Sequence, residues 1–151
     1  GGFRLPISEE TSKLVWDEDK NGRTQNDLFM DGMAIFNFAI TKVHKNINTL
    51  IDSMGWSKDE VGFYALHQAN EFMVNYVRKK LKVDASIAPT NCKDYGNTGP
   101  ATIPLLLSDV CSKPNSYDLS KVIMCGFGVG LSWGSVAANL SGTHFYEPIN
   151  K

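Results

Sequence analysis

From Met33 to Met54 the apolar residues Phe36, Ile40, Val43, Ile47, Leu50 and Met54 recur at steps of three and four. That is the spacing of a single buried helical stripe. Lys42, His44, Lys45, Asn46 and Asn48 fall off the stripe and are assigned to the solvent face, and Gly55 supplies the stop. The stretch "SKDE" at Ser57–Glu60 has capping-box form, Ser followed three residues on by Glu, and predicts a short turn. The pattern then changes character. "VGFYAL" (Val61–Leu66) is an apolar run that predicts a buried strand ending at His67. A second helix is predicted from Asn70 to Leu81, closing on Arg78, Lys79 and Lys80, cations suited to the negative end of a helix dipole. "ASIAPT" (Ala85–Thr90) reads as a short strand and "NCKDYGNTG" (Asn91–Gly99) as a loop. Pro100, whose missing N–H costs nothing in a first turn, opens a third helix that runs through "ATIPLLLSDVC" and stops before Pro114. "KVIMCGF" and "LSWGSVAANL" are two further strands, joined so tightly through "GFGVG" that they are expected to be antiparallel. Strand, helix, strand, helix and two closing strands predict an α/β layer.

Residues 1–32 break this regularity. They are polar and turn-rich, with "DKNG" (Asp19–Gly22) as a turn signal between "KLVW" and "RTQ" that predicts a small hairpin. They are assigned to an irregular surface excursion of the same single domain, whose body is residues 33–151. The opening "GGFRLPISEE", without an initiator Met or a strand-like run, is expected to belong to a piece of something longer.

Composition narrows the function classes. The 151 residues suffice for one domain with a substantial core. A net charge of −1 offers no global basic field for nucleic acid, and no apolar run reaches the ~18 residues of a membrane span. Cys92, Cys111 and Cys125 are odd in number and widely spaced, with no CxxC, which points to reduced thiols in a cytoplasmic protein rather than a metal site or disulfide framework.

Three loops carry candidate chemistry: His67 at a strand end, Asn97 before a helix, and "GFGVG" between the last two strands. Together they offer an imidazole, a carboxamide and backbone N–H groups, all able to donate to a developing oxyanion. Each also has a structural reading, as a packed histidine, a helix cap and a tight hairpin with glycines at positive φ. "GFGVG" is not a dinucleotide fingerprint, because no helix follows it. Cys125 in "MCGFG" is likewise followed by a strand, so no helix dipole activates its sulfur, and it is assigned to the core.

"HQAN" (His67–Asn70), "GNT" (Gly96–Thr98) and "FGVGLSWGS" (Phe127–Ser135) occur in the order and spacing of one family. From about Phe29 to Leu140 the chain resembles the C-terminal half of a β-ketoacyl-acyl-carrier-protein synthase III, of the thiolase-like superfamily. The resemblance implies the C-terminal half of a thiolase-like fold, a mixed sheet with helices on its faces, whose first strand lies upstream of Gly1. It implies decarboxylative Claisen condensation of an acyl thioester with a malonyl thioester, with His67 and Asn97 as two members of a Cys-His-Asn catalytic set. The nucleophilic cysteine belongs to the family's N-terminal half, so the chain alone is expected to be inactive.

His67 is expected to remain neutral, because the positive end of the helix after it disfavours imidazolium. The resemblance implies further contacts. Gly128, Val129 and Gly130 supply a backbone oxyanion contact, most directly through Val129, and Phe127 packs beside the nucleophile. Gln68, Asn70, Phe72, Lys79 and Lys80 are candidate contacts to a carrier protein or coenzyme A. Phe72 stands where the family often has arginine, and Asn37 where a docking lysine is expected. No metal or cofactor is implied, since the substrates travel on coenzyme A or phosphopantetheine. The implied partners are the N-terminal half, an acyl-carrier protein or coenzyme A thioester, and a second copy in a homodimer, without nucleic acid or membrane. Two alternatives stay open: a non-catalytic thiolase-fold binding or scaffold module, and a related acyltransferase or polyketide-type synthase without the usual carrier protein.

Overall fold

The computed structural model describes residues 5–113 and 117–149; the helix stop expected at Pro114 and the opening Gly1–Arg4 lie outside them. The chain divides into two compact units, Gly1–Gly32 and Met33–Lys151. In the first, strands β1 (Val15–Trp16) and β2 (Gly22–Arg23) form the predicted antiparallel hairpin. Its turn is tied by Asp17, whose Oδ1 accepts the Asn21 N–H at 2.8 Å. Among the described residues no helix is long and apolar enough to cross a membrane.

The second unit is built on a mixed sheet in the order β3 (Phe63–Leu66), β4 (Val122–Gly128), β5 (Ser132–Ala138). β3 and β4 are parallel, with Leu66 opposite Cys125, and β4 and β5 are antiparallel as expected, with Cys125 opposite Ser135. Every residue of β3 is buried, which explains its uninterrupted apolar run: strand side chains alternate between faces, and both faces are covered. Tyr64 and Leu66 enter one core with Ile123, Cys125 and the helices α1 (Gly32–Phe38), α2 (His44–Ser53) and α3 (Glu71–Leu81). Phe63 and Ala65 enter a second core with Val122 and with Leu106 and Leu107 of α5 (Thr102–Cys111).

The first long helix is interrupted where the sequence predicts a uniform stripe. Ala39–Val43 form a π turn between α1 and α2, and such a turn holds one residue more than an α turn. The buried positions therefore run Ala39, Val43, Ile47 and Ile51, while Phe36, Ile40 and Leu50 are half-buried and Met54 is exposed. The same shift turns His44 from the expected solvent face to a half-buried site, where burial, then Lys45 and Lys80, lower its pKa.

Two other local readings are corrected. Ala85–Thr90 is not a strand, because Asp84 captures the Ser86 N–H at 2.8 Å and curls the segment into a turn. The Tyr64 N–H donates to the Ile87 carbonyl at 2.7 Å, which covers the outer edge of β3. The predicted loop Asn91–Gly99 contains a one-turn helix, α4 (Cys92–Tyr95). The capping box at Ser57–Glu60 forms as read, and Glu60 also pairs with Lys121. Lys121 and the Ser57 N–H hold the Glu60 carboxyl down at about 2.

Candidate active site

The parallel register of β3 and β4 brings their carboxyl ends side by side, the usual location of sites in open α/β sheets. His67 extends the ladder by one step, its N–H donating to the Cys125 carbonyl at 2.9 Å. Two residues beyond Cys125, the half-buried Phe127 meets the His67 ring edge to face, with centroids 5.0 Å apart and planes at 87°. The backbone of His67 and one side of its ring are thereby fixed by β4.

The other constraint comes from the segment that opens α5. His67 Nδ1 and Thr102 Oγ1 share a hydrogen bond of 2.6 Å, and Thr102 is 2% exposed. The Thr102 hydroxyl also lies 3.1 Å from the Gly99 carbonyl oxygen. On its other side Gly99 donates its N–H to Asn97 Oδ1 at 3.0 Å. Gly99 adopts φ +61°, which turns its two polar groups to these separate partners in a conformation L side chains rarely enter. His67 and Asn97 are thus joined through Thr102 and Gly99. With the Asn97 oxygen engaged, its NH₂ is the group left to donate outward.

Burial pushes the His67 pKa below the ordinary 6.5, which favours the neutral ring. The expected NMR titration midpoint of His67 therefore lies below 6.5. The unfolded chain takes up the proton first, so stability present above pH 6.5 is lost as pH falls from 6.5 to the native midpoint. A midpoint above 6.5 would contradict the half-buried, neutral ring.

The cysteines are placed as the sequence suggests. Cys125 is fully buried in β4, and burial pushes its thiol up to about 11. Cys111 is held at about 11 for the same reason. Alkylation of the folded protein near neutral pH is expected to spare Cys125 and to reach it only after unfolding; rapid labelling in the folded state would refute the assignment.

Of the remaining expected contacts, Gln68 is corrected. It is 1% exposed, its Nε2 donates to the Leu66 carbonyl at 2.7 Å, and its Oε1 accepts from the Asn91 N–H and the Cys92 thiol. A side chain buried and bonded in this way does not meet an external partner. Asn70 is exposed and caps α3, its Oδ1 accepting the Met73 N–H at 2.9 Å. Phe72 is exposed with its ring 5.8 Å from Phe36. Lys79 and Lys80 are exposed at the end of α3. In the β4–β5 turn Gly128 is half-buried, Gly130 is exposed, and Val129 is 80% exposed with its carbonyl accepting from the Ser132 hydroxyl at 2.6 Å. A shallow cleft lined by Ala69, Asn70, Glu71, Cys92, Lys93 and Gly96 borders the two segments that carry His67 and Asn97. Thr102 is the residue that sequence reasoning missed; a threonine in the first turn of a helix carries no signal beyond its spacing of three from Gly99.

Comparison with known proteins gives a consistent answer. Residues 51–140 match the family model described as 3-oxoacyl-[acyl-carrier-protein (ACP)] synthase III C terminal. A β-ketoacyl-[acyl-carrier-protein] synthase III of Streptococcus gordonii is 38% identical over 136 residues, which are 86% of this chain and 42% of that protein. A synthase III of Lactococcus lactis subsp. lactis is 42% identical over 118 residues, 76% of this chain and 36% of that protein. The chain thus spans about two fifths of the length of these curated relatives. A crystal structure of a 3-oxoacyl-(acyl-carrier-protein) synthase III superposes with TM-score 0.79 at 31% identity, over 92% of this chain and 41% of that one. A 3-oxoacyl-(acyl-carrier protein) synthase from Burkholderia xenovorans LB400 superposes with TM-score 0.72 at 36% identity, over 87% of this chain and 38% of that one. The α/β layer of this chain is accordingly part of a thiolase-like fold, and the chain belongs to the 3-oxoacyl-[acyl-carrier-protein] synthase III family, whose C-terminal part it matches.

Proposed function

We propose that the protein carrying this chain is an acyltransferase that condenses an acyl thioester with a malonyl thioester, and that His67 and Asn97 stabilise the enolate formed on the way. The observation that carries this reading is the run of close polar contacts from His67 through Thr102 and Gly99 to Asn97. It orients two uncharged donors from separate segments, and a purely structural role needs only one of them.

The acyl group first passes from its carrier thioester to a cysteine thiolate, supplied by the part of the relatives that this chain does not cover, and the carrier sulfur leaves as a thiol. The malonyl carbon–carboxylate bond then breaks, releasing CO₂, and its electron pair places negative charge on the thioester oxygen. The His67 ring N–H and the Asn97 NH₂ donate to that oxygen. The carbanion attacks the acyl carbon, the carbon–sulfur bond breaks, and the cysteine leaves as thiolate. A backbone N–H of the Gly128–Gly130 loop, at Val129, assists at the acyl-transfer oxyanion, and the Phe127 ring excludes water beside His67. The chain alone is inactive in this scheme, because the nucleophilic cysteine belongs to the part of the relatives that it does not cover.

The substrates are carried on coenzyme A or on the phosphopantetheine of an acyl-carrier protein, and no further cofactor is required. Lys79 and Lys80, exposed at one helix end, suit an acidic carrier. Trp133 and Val136 of β5, 45% and 56% exposed, suit burial against the N-terminal half or a second copy in a homodimer. We assign the protein to the cytoplasm. The test is incubation of the whole protein with acetyl and malonyl thioesters, with the product read by mass spectrometry. A 3-oxoacyl thioester with equimolar CO₂ is expected. Neither product nor acyl-cysteine with any of a panel of acyl thioesters would overturn the reading in favour of a binding module.

A further inference from the structure

We propose that Thr102 sets the tautomer of His67, donating its hydroxyl proton to Nδ1 so that the outward Nε2 carries the ring proton. This rests on the donor role of His67 proposed above and names the residue that makes the role available.

A neutral imidazole has one N–H and one bare nitrogen, and which is which depends on the partner of the inner nitrogen. Thr102 Oγ1 has a single proton and two acceptors within reach, His67 Nδ1 at 2.6 Å and the Gly99 carbonyl at 3.1 Å. If the hydroxyl gave its proton to Gly99, Nδ1 would have to donate to Thr102 and Nε2 would be bare. The distances decide between the two arrangements. Hydroxyl donors bond to oxygen at roughly 2.5–3.0 Å and N–H donors to oxygen at roughly 2.7–3.2 Å. The 2.6 Å contact is short for an N–H donating to oxygen. The 3.1 Å contact is long for a hydroxyl donor. Both distances place the proton between Thr102 and Nδ1, and the ring proton on Nε2.

The surroundings hold this arrangement. Thr102 is 2% exposed, so water does not compete for its hydroxyl. The ring cannot easily turn over to exchange its nitrogens, because Phe127 stands edge to face against it. Thr102 touches no reacting atom in this scheme; it is a positioning residue acting through His67.

The test is ¹⁵N spectroscopy of histidine-labelled whole protein, with the His67 signals identified from a His67→Gln variant. The expected result is a directly bonded proton on Nε2 and a bare, hydrogen-bonded Nδ1. Thr102→Ser retains this pattern. Thr102→Val, similar in volume but without the hydroxyl, shifts the Nδ1 signal toward that of a free nitrogen and brings in the other tautomer. Condensation then falls by about 10- to 100-fold in kcat, as when the group orienting a functional imidazole is removed, and Thr102→Ser restores it. A proton on Nδ1 in the wild-type protein overturns the proposal even if Thr102→Val does not fold. An unchanged spectrum in a folded Thr102→Val variant overturns it equally. The spectra need no substrate, so a protein with the expected tautomer that fails to condense thioesters refutes the donor role and leaves the tautomer assignment standing.

Discussion

Replacing Asn97 by aspartate lowers the condensation rate of the whole protein by about 10²–10³-fold, the typical cost of removing one oxyanion donor. The substitution separates two roles. An aspartate oxygen still accepts the Gly99 N–H that Asn97 Oδ1 accepts at 3.0 Å, so the loop before α5 keeps its shape. What disappears is the NH₂, and a carboxylate in its place repels a developing enolate. The loss falls on kcat rather than KM, because the donor acts on charge that is absent from the ground-state thioester. His67→Ala gives a loss of the same order. If Asn97→Asp condensed at the wild-type rate, the carboxamide would be a loop-shaping group and nothing more.

The second large effect is on stability. Gly62→Ala is expected to destabilise the protein by about 1–3 kcal/mol, the range for forced overpacking, and at its upper end. A Cβ at position 62 would stand 2.2 Å from the backbone carbonyl oxygen of Asp118 and 2.7 Å from its Cβ. The Gly62 N–H is bonded to the Lys121 carbonyl at 3.0 Å, and the Asp118 carboxylate accepts the Ser120 N–H at 2.9 Å, so the facing segment has little room to withdraw. That segment leads directly into β4, and its displacement disturbs the register that sets His67 beside Phe127. Urea unfolding of the Gly62→Ala protein checks this through a lower midpoint; an unchanged midpoint would show that the segment yields freely.

The elements that local pattern determines were legible. The run Val61–Leu66 is apolar because both faces of β3 are covered, and the helix after it begins where Asn70 caps it. The His67 and Asn97 segments could be singled out because strand ends and helix starts are visible in a sequence. What was hidden depends on contacts between distant segments or on a single inserted residue. The π turn at Ala39–Val43 moves the buried stripe onto Ile51 and draws in His44, and periodicity alone does not register such a turn. Gln68 sits between His67 and Asn70, yet its carboxamide is consumed inside by Leu66, Asn91 and Cys92. Ala85–Thr90 has strand-like composition, but Asp84 supplies a local hydrogen bond that a strand would forgo. Thr102 acquires meaning only when α5 is laid against β3, 35 residues away in sequence from His67.

That two neutral side chains share one oxygen as it becomes negative is a claim the decarboxylation step checks in isolation. CO₂ release from a malonyl thioester is measured for the whole protein, for His67→Ala, for Asn97→Asp and for the double variant. Each single variant is expected to lose about 10²–10³-fold, and the double variant less than the product of the two losses, because the donors act on the same atom. Decarboxylation at the wild-type rate in either single variant would contradict the claim.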